Sequence, residues 1–497
     1  MELPIGVIDL VVLLASIAVT IVVGLRLSGK NDSIEAYLLG GRDLPWWAIL
    51  GSIVATETST ATVLSVPGHG YGVVGFRFLQ LAIGYIVGRF LVIQLLLPRY
   101  FEGKLMSAYE ILGYRFGDSA KRFASILFLV TRNLGDGLRL FLAATVLEKL
   151  AGWPLAWSAI AMGGITVLYT YFGGMRSVVW NDCIQFVIYM AGGIAAIFVI
   201  WSYLPNGWQT FYEFGLANNK FTLFDWSLSL ENPYTFWAGL IGGSVLSLGS
   251  HGTDQMMVQR YLSARSQKDA AKALWWSGWI VFVQFAMFLF IGMLLHCFYS
   301  TIDSLPADTK PDQIFAHFLV NSFPKNTGLI GLMLAAILAA AMSTLSSSLS
   351  ASASSLVSDL WLPLCSKVPT QKIQVWVTRA AIVLFGVLQV VIGIWARTFD
   401  KSVVDNALTI AGFSSGVLLG LFALAVVAKH VKGPAAIVAA FVGIVVLLAV
   451  QYGLPVIGYK VAFPWLPLIG SIATFGAGII VSRVLSDSNQ ELVSDSK

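Results

Sequence analysis

Residues 328–348 decide how this chain is read. They begin as membrane-spanning hydrocarbon, Gly328-Leu-Ile-Gly-Leu-Met-Leu-Ala-Ala-Ile-Leu-Ala-Ala-Ala-Met342. They pass without a break into Ser343-Thr344-Leu345-Ser346-Ser347-Ser348. A hydroxyl in hydrocarbon is costly unless it finds a partner. An α-helix gathers positions i, i+3, i+4 and i+7 onto one face, so Ala340, Ser343, Thr344 and Ser347 look in one direction. They offer neutral oxygens with no fixed charge, a set that suits a small hard cation such as Na⁺. A single hydroxyl would bond back to its i−4 carbonyl, which is routine in membrane helices; the density of the run argues for an ion. Further along, Ser348, Ser350, Ser352, Ser354 and Ser355 read as small residues that let helices pack closely.

The surrounding composition agrees with a membrane setting. The 497 residues are 57% hydrophobic and 11% charged, with a mean hydropathy of +0.78. Soluble domains carry about 25% charge. The chain is therefore expected to be an all-α polytopic membrane protein. Its first apolar run, 8–27, is long enough to span and is followed by Lys30, so it reads as an anchor and not as a cleaved signal. Cys183, Cys297 and Cys365 have neither metal nor disulfide spacing. No phosphate-binding loop, H-E-x-x-H or G-x-S-x-G run is present. ATP-driven transport and hydrolase chemistry lack their parts, so no enzyme activity, organic cofactor or nucleic-acid partner is expected.

Spans of about 18–25 apolar residues are expected at 8–27, 44–70, 76–98, 123–147, 155–174, 178–204, 234–259, 273–298, 327–359, 380–396, 403–427, 433–453 and 463–482. A short peripheral helix is expected at 311–323. Among the 31 Lys and Arg, twenty fall in connections on one side of these thirteen spans and eight on the other, while Arg89, Arg132 and Arg139 lie inside spans. The positive-inside rule then puts the N-terminus outside and the C-terminus in the cytoplasm of a plasma (inner) membrane. Arg89 and Arg379, near the cytoplasmic ends, are expected to snorkel.

Two spans carry polar interruptions. The second runs Ser52 to Thr62 through Thr56-Glu57-Thr58-Ser59-Thr60 and then meets Pro67-Gly68-His69-Gly70. The seventh runs Gly242-Gly243-Ser244 to Ser247 and on through Gly249-Ser250-His251-Gly252-Thr253-Asp254-Gln255. Interrupted spans at matching positions of two halves point to an inverted repeat. The expected division of this single transporter domain is a peripheral helix 8–27, repeat one 44–204, repeat two 234–427, peripheral helices 433–482 and a polar tail 483–497, disordered from Ser486.

Three segments now resemble the sodium:solute symporter family. One is Tyr169-Thr170-Tyr171-Phe172-Gly173-Gly174-Met175-Arg176-Ser177 with Val179-Trp180-Asn181-Asp182-Cys183-Ile184-Gln185. The second is Ala339-Ala340-Ala341-Met342-Ser343-Thr344. The third is Thr253-Asp254-Gln255 with Gln259-Arg260, where Asp254 replaces the usual Asn. The resemblance implies a leucine-transporter-like fold with a 5+5 inverted repeat, alternating access, and Na⁺ as coupling ion. It implies a main sodium site at the carbonyls of Ala55, Thr58 and Ala340 and the hydroxyls of Ser343 and Thr344. A second sodium would take Asp182, Ser343, Ser346 and Ser347.

Glu57, inside a polar break, needs a partner. Solute hydroxyls, a solute amine and Arg139 are the choices. Arg139 either belongs to a local Arg132–Asp136–Arg139 ladder or holds a solute carboxylate bidentately. Asp182 either favours a helix N-terminus or binds sodium, which would keep it ionised without a basic partner. His69 and His251 read first as polar packing. Ser59, Thr62, Phe76, Gln80, Ser244, Ser247 and Asp254 complete the candidate solute pocket. The expected function is sodium-coupled uptake of a small polar solute by a monomer in the bilayer, one or two Na⁺ per cycle. The solute would be an organic anion of the sialic or monocarboxylic type, or a sugar or polyol. A proton-coupled symporter and a non-transporting membrane sensor of the same fold are the alternatives.

Overall fold

The computed structural model describes residues 6–29, 31–398 and 403–494, without the side chains of 149–151, 403–409, 411 and 485–494. Lys30, Lys149, Lys401 and Lys497, counted in the charge asymmetry, thus lie outside the described side chains. Helices dominate, and no strand forms among the described residues; one isolated bridge joins Leu44 and Ala264. The long helices are α1 (Val7–Arg26), α2 (Trp46–Glu57), α3 (Thr60–Tyr71), α4 (Leu79–Leu95), α5 (Asp118–Ala151), α6 (Leu155–Tyr203) and α7 (Gly243–Gly252). After them come α8 (Gln255–Leu262), α9 (Gln267–Thr301), α10 (Leu329–Ser355), α11 (Gln371–Trp395), α12 (Val403–Val427), α13 (Gly433–Leu448) and α14 (Leu466–Ser494). Among the described residues eight helical segments are long and apolar enough to cross a membrane, or nine when the bent pair α2–α3 counts as one span. The expected spans 155–174 and 178–204 form one helical run that turns at Gly174, at φ 58°. A Cβ there would meet the Tyr37 carbonyl oxygen at 2.6 Å, so glycine is required twice over. The short helix expected at 311–323 is present as Ile314–Asn321 behind a turn at Pro311–Gln313.

Local chemistry makes the breaks. Between α2 and α3 the chain bends by 64°. Thr58 is extended there, and its hydroxyl donates back to the Val54 carbonyl at 2.8 Å. Consecutive Ser and Thr offer the backbone such alternatives to helical bonding. Gln284 Nε2 and the Tyr189 hydroxyl donate to Thr58 Oγ1 at 2.6 and 3.2 Å, which fixes the bend. Between α7 and α8, Asp254 accepts from the Met256 amide at 2.8 Å and starts the second half-helix.

Helix α10 is the axle of the fold: every residue from Met333 to Ser355 is buried. Its serines do more than allow close packing. Ser348 accepts from the Gln389 amide (2.9 Å), Ser350 from Gln259 (3.1 Å), Ser352 from Asn133 (3.2 Å) and Ser354 from Gln255 (3.1 Å). Amides from three other helices are thereby satisfied in an apolar interior, where an unpaired one would cost several kcal/mol. The start of α10 is tied to α1. Asp9 accepts from the amides of Asn326 (2.7 Å) and Gly328 (2.8 Å), a carboxylate at the positive end of a helix.

Two expectations are corrected here. The tail after Ser486 continues α14 as helix to Ser494, because Asn-Gln-Glu-Leu carries no Gly or Pro to stop it; residues 495–497 lie outside the described residues. Arg89 does not snorkel: it is fully buried, for a reason given by its partners below.

Candidate functional site

The end of α2 meets the middle of α10. The last intrahelical bond of α2 runs from the Thr58 amide to the Val54 carbonyl at 3.1 Å. The carbonyls of Ala55, Thr56 and Glu57 lie beyond it, at the negative end of the helix. Thr344 Oγ1 donates to the Thr56 carbonyl and to the Ala340 carbonyl, both at 3.2 Å. Ala55, Thr58, Ala340, Ser343 and Thr344 are all buried, with at most 3% exposure. The carbonyl in direct contact is thus that of Thr56, flanked by the expected Ala55 and Thr58. This oxygen-only donor set at a helix C-terminus fits a sodium ion.

Beside it lies a second cluster, and it departs from expectation. Asp182 accepts from Ser52 (2.5 Å), Ser343 (2.6 Å) and Thr56 (3.3 Å). It also has a basic partner, Arg260, whose Nη2 lies 3.1 Å from Oδ2. The guanidinium further donates to Ser52 (2.8 Å), Thr56 (2.5 Å), the Met256 carbonyl (2.5 Å) and Ser347. A desolvated carboxylate is stable only beside an opposite charge, and Arg260 supplies it where sodium was expected alone. Ser346 turns its hydroxyl to the Ser343 carbonyl at 3.1 Å.

Two cavities, of about 190 and 200 Å³, meet at Glu57, Tyr85 and Arg139. The first is also lined by Arg132, Asp136, Ser247, His251 and Asp254. The second is lined by Ser59, Thr62, His69, Tyr234 and Phe285. Glu57 pairs with Arg89, which reaches in from α4, so Arg139 is not its partner. Arg89 Nη2 also lies 3.2 Å from His251 Nε2. His251 Nε2 also lies 3.5 Å from Glu57 Oε2, and its Nδ1 lies 3.0 Å from the Ser250 hydroxyl. The expected ladder on α5 is present, with Asp136 Oδ1 2.6 Å from Arg139 and 3.5 Å from Arg132. Arg132 also binds Asp254 across to the second break. A small void of about 10 Å³ touches Thr60, Asp136, Arg139 and Thr344, so the ion segment and the solute cavities share a wall.

Three expected pocket residues face elsewhere. Gln80 is 1% exposed and lines neither cavity. Its amide donates to the carbonyls of Arg77 and Tyr234 and accepts from the Asp225 amide, at 2.9–3.0 Å. Those unpaired backbone groups claim it. Ser244 donates to the Leu240 carbonyl, and Phe76 packs in the apolar core; neither lines a cavity.

The model of the sodium:solute symporter family matches residues 37–443. The chain belongs to that family. It is 27% identical over 426 residues to the human sodium-coupled monocarboxylate transporter 2, covering 85% of this chain and 68% of that one. It is 27% identical over 503 residues to the sodium/sialic acid symporter of Proteus mirabilis (strain HI4320), covering 99% and 98%. A solved outward-open, substrate-bound Na⁺-coupled sialic acid symporter superposes with a TM-score of 0.87 at 27% identity, over 96% of this chain and 98% of that one. Mhp1, a nucleobase-cation-symport-1 transporter, shares the fold at 12% identity, with a TM-score of 0.54 over 93% and 96%. This symporter family member is thus a multi-pass membrane transporter and not an enzyme.

Several of its site residues escaped the sequence reading. Arg89, Arg260 and Tyr85 lie on helices remote in sequence from what they touch. For Arg89, read as snorkelling, and for Arg260 the one signal was an Arg inside or next to a span, which needs a carboxylate somewhere; Tyr85 carried none.

Proposed function

We propose that this chain is a sodium-coupled symporter that carries a small polar organic anion into the cell by alternating access. The single observation that carries the reading is the Thr344 hydroxyl bonded to the Thr56 carbonyl at the break of α2. A cation entering there replaces one donated proton with several oxygen contacts and ties α10 to α2. A site with higher sodium affinity in the outward-facing state then favours solute binding in that state. The anion is favoured because Arg139 stands at the junction of both cavities and gives Asp136 one nitrogen, leaving the rest of its fork to face the space. The named relatives carry a monocarboxylate or sialic acid, which is consistent with that class.

The same reading takes the halves of α6 about Gly174 as separate spans, which gives thirteen in all and a 5+5 repeat of 44–204 on 234–427. It puts the N-terminus outside and treats the monomer as the working unit. One coupled sodium is assigned, at the main site, because Arg260 already neutralises Asp182. The test is uptake into proteoliposomes under an inward sodium gradient. Equal filling with K⁺ in place of Na⁺ would sink the proposal and favour proton coupling. Solute binding without counterflow exchange would favour a sensor.

A further inference from the structure

A groove of about 650 Å³ lies apart from the transport sites, where the end of α12 meets residues 99–115. It is larger than the two central cavities combined. Its polar wall holds Arg99, Arg115 and Lys429 against one acid, Glu102. Arg99 is held by Glu102 at 3.0 Å. Arg115 donates to the carbonyls of Ala428 (3.0 Å) and Lys429, which fixes its guanidinium at the helix end. The Lys429 ammonium has no ion-pair partner among the described residues. The other wall is apolar, with Ile111 and the 81%-exposed Tyr114. Val427, at the end of the apolar stretch Gly412–Val427, is 68% exposed.

We propose that this groove is a binding site for an anionic phospholipid, its phosphate headgroup on the three cations and its acyl chains along the apolar wall. A groove that opens where an apolar helix ends lies at the boundary between hydrocarbon and water. A net excess of two cations there calls for an anion, and basic pockets between membrane helices suit lipid phosphates. A free phosphate would meet the cations but leave Ile111 and Tyr114 uncovered.

The test uses the full chain purified in detergent and titrated with phosphatidylglycerol, phosphatidylcholine or inorganic phosphate. Bound lipid is counted by native mass spectrometry, and thermal stability is followed in parallel. Phosphatidylglycerol should be retained in preference to phosphatidylcholine. The double variant Arg99→Gln/Lys429→Gln should bind phosphatidylglycerol about thirty-fold more weakly, about fivefold per cation, with lipid-free stability unchanged because both side chains are exposed. Arg115 is left intact because it caps α12. Equal retention of the two lipids, unchanged binding by the double variant, or displacement of the lipid by millimolar inorganic phosphate would each overturn the assignment.

Discussion

Replacing Thr344 with Val keeps the shape of the side chain and removes the hydroxyl that joins α10 to the Thr56 carbonyl at the break of α2. In the sodium-free geometry the loss is small. One bond of 3.2 Å to the Thr56 carbonyl disappears, worth about 1 kcal/mol. The Ala340 carbonyl, also 3.2 Å away, is a helical acceptor that keeps its backbone partner. With sodium bound the loss is larger, because interactions with a charged group are worth about 1.5–3 kcal/mol. Sodium affinity falls by the difference, about 0.5–2 kcal/mol, so at about 1.4 kcal/mol per decade the half-saturating sodium concentration should rise about two- to thirty-fold. The readouts are sodium activation of uptake in proteoliposomes and the sodium-induced thermal shift of the purified protein. Ser348→Ala serves as control, since Ser348 bonds Gln389 at 2.9 Å away from the ion segment; its stability should fall while its sodium dependence holds. If Thr344→Val transports with a half-saturating sodium concentration within twofold of the parent, the ion does not bind where α2 breaks.

Three further outcomes follow from the buried charges. Arg89→Met leaves Glu57 unanswered and should lower unfolding stability in detergent by about 3–5 kcal/mol; the double variant Glu57→Gln/Arg89→Met should regain most of it, and failure to do so would refute the pairing as the cause. Arg139→Ala should abolish carboxylate uptake while Arg139→Lys keeps a weak remnant, since an ammonium keeps the charge but not the fork; carboxylate transport by the Ala variant would rule out the clamp. With a monoanionic solute, uptake should be insensitive to a valinomycin-imposed potential; a clear increase with inside-negative potential would show that more than one sodium moves.

What was legible in the sequence was whatever a single helix decides. Hydroxyl density along one face of 343–347 and clustered Ser, Thr and Gly at 56–60 and 249–254 are local signals, and both ended up beside the helix breaks and the central cavities. Partner choice was not legible. Glu57 had Arg139 as its one candidate cation within the spans and took Arg89 instead, which reaches it from a neighbouring helix. Asp182 and Arg260 are 78 positions apart, and no periodicity joins α6 to α8. The Gln80 amide was drawn away by the Arg77 carbonyl and by two backbone groups that only the folded loop at 225–234 brings to it. The glutamines at 255 and 259 matched a family motif long before their task, holding the serines of α10, was visible.

The charge arrangement around the cavities also bears on the solute. Glu57 is balanced by Arg89, and Asp136 and Asp254 by Arg132 and Arg139, so the carboxylates and guanidinium groups cancel. The empty pocket is therefore neutral, as a low-dielectric site must nearly be. An entering carboxylate takes the open side of the Arg139 fork, and Asp136 still keeps Arg132, so no acid is stranded. On the proposed reading the added negative charge is matched by a sodium ion next door at Thr344. Anion and cation then cross as a neutral load, and neither has to be carried alone through a medium where isolated charges are expensive. A neutral sugar offers no such balance: its sodium would enter an already neutral pocket and leave it positive, and each turn would gain about 2.3 kcal/mol per 100 mV from the membrane potential. At one sodium per turn, the response of uptake to potential therefore separates the two solute classes on electrostatic grounds.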